Sequence, residues 1–186
     1  MATPHPRVRI FQEGEERVLE IQPVRDAGKT KLMLGWLLVW LACGAVVVWQ
    51  LWMPMPRENK LILFVYLAFW AYFAFRVWNA YWWRKNGLEI VRLSPTRLTY
   101  EKRVNGRGLP IPYTLDGITS LQVSEPGKSS FAAVMEDSYW VIGAERLVFF
   151  YNGKKIGLGL QLPKKETETV FKELEKRLKE FRKQSH

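Results

Sequence analysis

Cysteine is almost missing from this chain, and so is histidine. Among 186 residues there is one cysteine, Cys43, and the two histidines, His5 and His186, stand at the ends. A lone cysteine excludes a disulfide within the chain and any cysteine-based metal site. Histidine is the side chain that titrates nearest neutral pH, and the interior of the sequence has none. Charge is missing as well, but only locally. Residues 32–53 (LMLGWLLVWLACGAVVVWQLWM) carry no charge, and residues 61–83 (LILFVYLAFWAYFAFRVWNAYWW) carry one, Arg76. At about 1.5 Å per residue each run spans roughly 33–35 Å as a helix, enough to cross a bilayer with some tilt. Both are expected to be transmembrane helices. The 31 residues ahead of the first argue against a cleaved signal peptide.

What is there is basic. The net charge is +10, and it is unevenly spread. Residues 84–107 hold seven Lys and Arg against two acids, residues 164–186 hold eight against five, and residues 108–163 hold four against five. The loop between the spans, PMPRENK (54–60), carries Arg57 and Lys60 offset by Glu58, whereas both outer flanks are richer in Lys and Arg. The positive-inside rule then places both termini in the cytoplasm and the loop outside.

Small residues mark each span: Gly35, Ala42 and Ala45 in the first, Ala68, Ala71 and Ala74 in the second. They let helices approach closely, and the short loop makes the spans an antiparallel hairpin, so these stripes are expected to face each other. Eight of the nine tryptophans lie in the spans. An interfacial belt accounts for Trp49, Trp52, Trp82 and Trp83. Trp36, Trp40, Trp70 and Trp78 lie deeper and are expected to dock on a larger membrane protein or on lipid or pigment tails. Arg76 lies seven residues before Trp83, about 10 Å along the helix. Its side chain is expected to snorkel towards the cytoplasmic headgroups, with Asn79 and Trp83 on the same face. That makes it an interfacial anchor, shared with a lipid phosphate or a partner's carboxylate.

Outside the spans the period changes. RVRIFQEGEERVLEIQ (7–22) reads as a hairpin, or as one strand that pairs with the later domain. Strand-like runs follow at 88–93, 97–104, 109–113, 118–124, 130–135, 139–144, 146–151 and 155–162. Asn152–Gly153 signals a hairpin turn, and Pro110 and Pro112 confine their run to a sheet edge or a loop. In 164–183 Val170, Phe171, Leu174, Leu178 and Phe181 recur at helical spacing, which predicts an amphipathic helix covering the sheet.

NGLEIVRLSPTRLTYEKRV after the second span and RLVFFYNGKKIGLGLQLPKKETETVFKELEKRL near the end resemble bacterial membrane-anchored proteins with a domain of the pleckstrin-homology (PH) superfold. The resemblance implies six or seven antiparallel strands capped by a C-terminal helix, a bacterial inner-membrane location, and no catalytic residues. It also implies lipid contacts by Arg92, Arg97, Lys102, Arg103 and Arg107. The expected class is α+β. The expected organisation is a cytoplasmic segment (1–31), two spans (32–53 and 61–83) with an outer loop (54–60), and a PH-like domain (87–186).

Motifs that could carry chemistry are thin. EPGKSS (125–130) lacks the earlier glycine of a phosphate-binding loop, since position 122 is Gln. NGRG (105–108) reads as a turn with Arg107 open to anions. Glu136 and Asp137 adjoin each other with no histidine or cysteine beside them, and neighbouring carboxylates do acid–base work only in a shared cleft. The expectation is a non-enzymatic accessory or assembly subunit of a larger integral membrane complex, with a membrane-surface binder of anionic lipids as the alternative. No cofactor, metal or nucleic acid is expected. The contact residues would be Arg76, Asn79, Arg84, Lys85 and the five basic residues above, with the four deep tryptophans docking in the membrane.

Overall fold

The computed structural model describes residues 7–124 and 138–184. In chain order its elements are β1 (Val8–Glu13), β2 (Glu16–Ile21), α1 (Ala27–Gln50), α2 (Arg57–Asn86), β3 (Gly87–Leu93), β4 (Arg97–Val104) and β5 (Ile111–Thr114). A single 3-10 turn (Leu115–Gly117) follows, then β6 (Ile118–Val123), β7 (Glu145–Tyr151), β8 (Lys154–Leu160) and α3 (Lys164–Gln184). The strands form two antiparallel sheets, β1-β2-β3-β4-β5 and β6-β7-β8, so the class is α+β.

The N-terminal run is both of the things its pattern allowed. β1 and β2 form a hairpin, and β2 pairs with β3, from Arg17 opposite Leu93 to Ile21 opposite Glu89. The two apolar helices are therefore inserted between neighbouring strands of one sheet. An organisation that sets 1–31 apart from 87–186 cuts through that sheet. The physical reason is burial: Val18, Leu19 and Ile21 are inaccessible to solvent, and β2 finds that shelter only between β1 and β3.

α1 and α2 are each long and apolar enough to cross a membrane. Asp26 caps α1 by accepting the Lys29 N–H at 3.0 Å, which satisfies a donor the first turn leaves open. α2 runs straight into β3 with no linker. Gly87 makes that corner, because a Cβ there would lie 2.4 Å from the Trp83 carbonyl oxygen.

The core lies between the sheets and α3. Leu19, Ile21, Val91, Leu93 and Leu98 meet Leu147, Phe149 and Leu158, and Val170, Leu174 and Leu178 of α3 close it. This is the predicted helix face, with Phe171 at its margin; the Phe181 side chain lies outside the described residues. Asn152 and Gly153 both have positive φ, as a two-residue hairpin turn with right-handed strand twist requires. Pro112 sits on β5, which ends its sheet. The run 139–144 forms no strand, because its groups bind the helix bases instead. The expected strand at 130–135, the EPGKSS turn and Glu136–Asp137 lie outside the described residues.

Candidate functional site

The deep tryptophans first fasten the hairpin to itself. The Trp40 indole N–H donates to the Trp70 carbonyl at 3.2 Å, and the Trp70 indole N–H donates to the Trp40 carbonyl at 2.8 Å. Trp70 lies on Gly44, where a Cβ would come within 2.2 Å of the ring. The expected facing stripes of small residues are a misreading: of those six, Ala74 alone is buried, and Gly35, Ala42, Ala45, Ala68 and Ala71 are exposed. Contact runs instead through Met33, Leu37, Ala74, Val77, Ala80 and Tyr81. Two bulky indoles hold the helices by directed bonds, and Gly44 makes room for one of them. Trp36 stacks on Trp40, with centroids 4.9 Å apart, while Trp78 is exposed and meets Trp82 edge-on. Trp49 and Trp52 stay exposed at the loop end of α1, lining an open groove of ≈ 430 Å³ with Ala45 and Val48. Trp83 is buried, beneath Gly87 and the Lys102 ammonium 4.8 Å from its ring, and so forms no part of an exposed belt.

Arg76 is exposed on the outward face of α2 and donates to the Tyr72 hydroxyl at 2.9 Å. Its guanidinium thus lies one turn back from its own position, away from Trp83. The expected reach towards Trp83 is not the conformation present. Helical Cα–Cβ bonds lean to the N-terminus, which for α2 is the loop end, so the tyrosine four residues earlier is the natural partner. Asn79 is half-buried, and Lys85 lies 5.7 Å and 5.5 Å from the rings of Tyr81 and Trp82.

A clamp joins the hairpin to the sheets. Arg84, expected at a lipid or partner surface, is only 2% exposed. It donates to the Val141 carbonyl at 2.9 Å and to the Gln161 side-chain oxygen, and lies 4.6 Å from the Tyr139 ring centre. The Tyr139 hydroxyl meets Thr30 Oγ1 at 2.7 Å and donates to the Asp26 carbonyl at 3.2 Å. Trp140 packs edge-on against Trp36 at 5.3 Å. Residues 139–141 therefore strap the bases of both helices.

Two more charges lie close by, Arg7 half-buried and Glu89 buried. Arg7 donates to the carbonyls of Gln22 (2.9 Å), Gln161 (2.7 Å) and Leu160 (3.2 Å), and its burial lowers its pKa while Glu166 and Glu89 oppose the fall. Glu89 is 1% exposed and accepts the Gly159 N–H (2.8 Å), the Leu160 N–H (2.9 Å) and the Tyr100 hydroxyl (3.2 Å). Burial pushes its carboxyl up, against the pull of those donors and of Lys102. Burial and Glu89 together push the Tyr100 phenol up, so it keeps its proton and donates. These oxygens are occupied by protein donors. Among the described residues no group of three or more His, Cys, Asp or Glu could hold a metal ion.

The five basic residues expected to act together do not sit together. Arg92 and Arg97 lie at the end of the β3–β4 hairpin remote from α1 and α2, where Arg92 meets Glu13 at 3.1 Å and Glu16 at 3.9 Å. Lys102, Arg103 and Arg107 lie at the near end, beside Asn86 and Gly87. Arg103 is bidentate on Glu101 at 2.9 and 2.8 Å, which raises its pKa. Strand rise explains the split, since Arg92 and Lys102 are each several residues from the other's end at about 3.4 Å per residue. Sequence reasoning passed over Arg7, Glu89 and Tyr139. For Glu89 a signal existed: Gly87, Val91 and Leu93 share its face in the two-residue period, and all three are buried. The chain matches no protein-family model, no curated protein and no solved structure.

Proposed function

We propose that the chain is a non-enzymatic docking subunit of a larger integral membrane complex in a bacterial inner membrane, with both termini cytoplasmic. Its cytoplasmic part is read as a PH-like domain. β2 to β8 supply seven antiparallel strands and α3 the capping helix, with β1 as an addition at the edge. One observation carries the docking reading. Arg76 is exposed on the lipid side of α2, about 10 Å along the helix from Trp83, and the Tyr72 hydroxyl is its hydrogen-bond partner.

A charged arginine near this depth costs about 2.5–3.5 kcal/mol on insertion scales. A hydroxyl satisfies one donor of five and leaves the charge uncompensated. A carboxylate on a partner helix would offset it, and the exposed rings of Phe69, Tyr72, Phe73, Phe75 and Trp78 would supply the surrounding apolar contact. Membrane-embedded arginines commonly pair in this way.

The test is native mass spectrometry of the full chain extracted in mild detergent. A larger membrane protein is expected to travel with it, and Arg76→Leu is expected to insert normally yet lose that protein. Recovery of the bare chain alone, or a partner retained undiminished by Arg76→Leu, would reject the reading.

A further inference from the structure

Among the described residues outside the membrane hairpin (27–86), the most exposed large apolar side chain is Leu109, at 77%, in the loop between β4 and β5, and Ile111 at the start of β5 follows it at 44%. Its position is fixed by the end of α2. Asn105 donates its N–H to the Asn86 carbonyl at 3.3 Å, and the Asn86 side-chain amide reaches the Asn105 side-chain oxygen. Asn105 and Gly106 both have positive φ, and Val104 and Arg107 exchange backbone hydrogen bonds at 2.8 and 3.0 Å. This is the tight turn that an Asn-Gly pair favours. Gly108 then passes so close to β4 that a Cβ would lie 2.6 Å from a Glu101 carboxylate oxygen and 3.0 Å from the Lys102 carbonyl. The loop is thus pinned beside the last turn of a membrane helix and presents leucine and isoleucine to its surroundings.

Its neighbours are cationic. Arg107 and Lys102 are exposed, and Lys85 is exposed one residue before Asn86. The adjacent acid, Glu101, is 7% exposed and taken up by Arg103. Apolar tips beside exposed cations suit the boundary between anionic headgroups and acyl chains, where basic residues gain from the negative surface potential.

We infer that Leu109 and Ile111 enter the headgroup region of the same bilayer that α1 and α2 cross, with Lys85, Lys102 and Arg107 on anionic phospholipid headgroups. The loop thereby holds the five-stranded sheet against the membrane. This contact needs no protein partner and stands whether or not Arg76 docks on one.

The test uses the full chain with Cys43→Ser, reconstituted in vesicles of phosphatidylcholine with or without phosphatidylglycerol. A polarity-sensitive fluorophore is attached at Pro110→Cys, which leaves Leu109 and Ile111 in place. The same label at Lys154→Cys, in the hairpin at the far end of the sheets, is the reference. With phosphatidylglycerol present, iodide quenching at position 110 is expected to fall several-fold below the reference, and lipids spin-labelled near the headgroup are expected to quench it. Adding Leu109→Ser and Ile111→Ser should return iodide quenching to the reference level. Equal iodide access at both positions would overturn the inference. So would shielding that persists unchanged without phosphatidylglycerol, or shielding present in native membranes but absent from the vesicles, which would mean that a protein covers the loop.

Discussion

Glu89 is nearly inaccessible, yet both its oxygens face donors: two backbone N–H groups of β8 and the Tyr100 hydroxyl. Removing a carboxylate from water disfavours its charged form, and here burial outweighs the donors, so the folded pKa lies above the unfolded one. The linkage has a definite sign. The group's contribution to stability is complete below the unfolded pKa and is lost as pH rises through the folded pKa. Across that window the loss is roughly 1.4 kcal/mol per pH unit. Glu89→Gln cannot titrate, so the stability of the parent chain relative to this variant should decline as pH rises above the ordinary carboxylate range. Thermal unfolding of both proteins in detergent across a pH series measures it, and a gap that stays constant with pH would refute it. Charges of this kind are hard to read from sequence. Arg76 and Arg84 sit eight residues apart on one helix, and one is exposed while the other is buried. What separates them is the strap at 139–141, which is remote in sequence and carries no period of its own.

At the level of elements, α1 and α2 were legible as helices long and apolar enough to cross a membrane, because length and apolarity are local properties of the sequence. How they pack was not. Small residues and tryptophans each have several uses in a membrane helix, and the choice depends on which faces meet. Here Gly44 leaves room for Trp70, whose indole then reaches the Trp40 carbonyl. Gly44→Ala would place a Cβ within 2.2 Å of that ring. The ring must turn away, and the loss of packing together with the bond should cost about 1–3 kcal/mol. Gly35 provides the control, since nothing lies within 4 Å of a Cβ built there. Gly44→Ala is expected to lower the melting temperature in detergent and to loosen cross-linking between cysteines placed on the two helices. Gly35→Ala is expected to leave both measurements unchanged. Matching effects from the two substitutions would mean that helix propensity, not the indole clasp, governs this hairpin.

For the whole molecule, the consequential feature is that the membrane hairpin interrupts a sheet. Local patterns in RVLEI and LEIVRL announce strands, but nothing in either run says that they pair across two spans, because pairing between distant segments leaves no local periodicity. The later strands and α3 were readable, since their turns and helical spacing are local. The pairing decides what can fold alone. Val18, Leu19 and Ile21 are buried in the sheet, and each is worth about 1.5–3 kcal/mol when fully covered. Their sum, roughly 5–9 kcal/mol, rivals the 5–15 kcal/mol that typically separates folded from unfolded domains. Without them β3 also becomes an open edge, a template for pairing with other chains. A fragment spanning 87–186 should therefore unfold without a sharp transition and tend to associate. A peptide of residues 7–22 should restore slow hydrogen exchange at the β3 amides that β2 engages, from Glu89 to Leu93. Sharp unfolding of the fragment alone, with those amides already protected, would show that the sheet closes without its N-terminal strands. The spans would then be an appendage to a complete domain, and the shared sheet would not be what couples the membrane hairpin to the β domain.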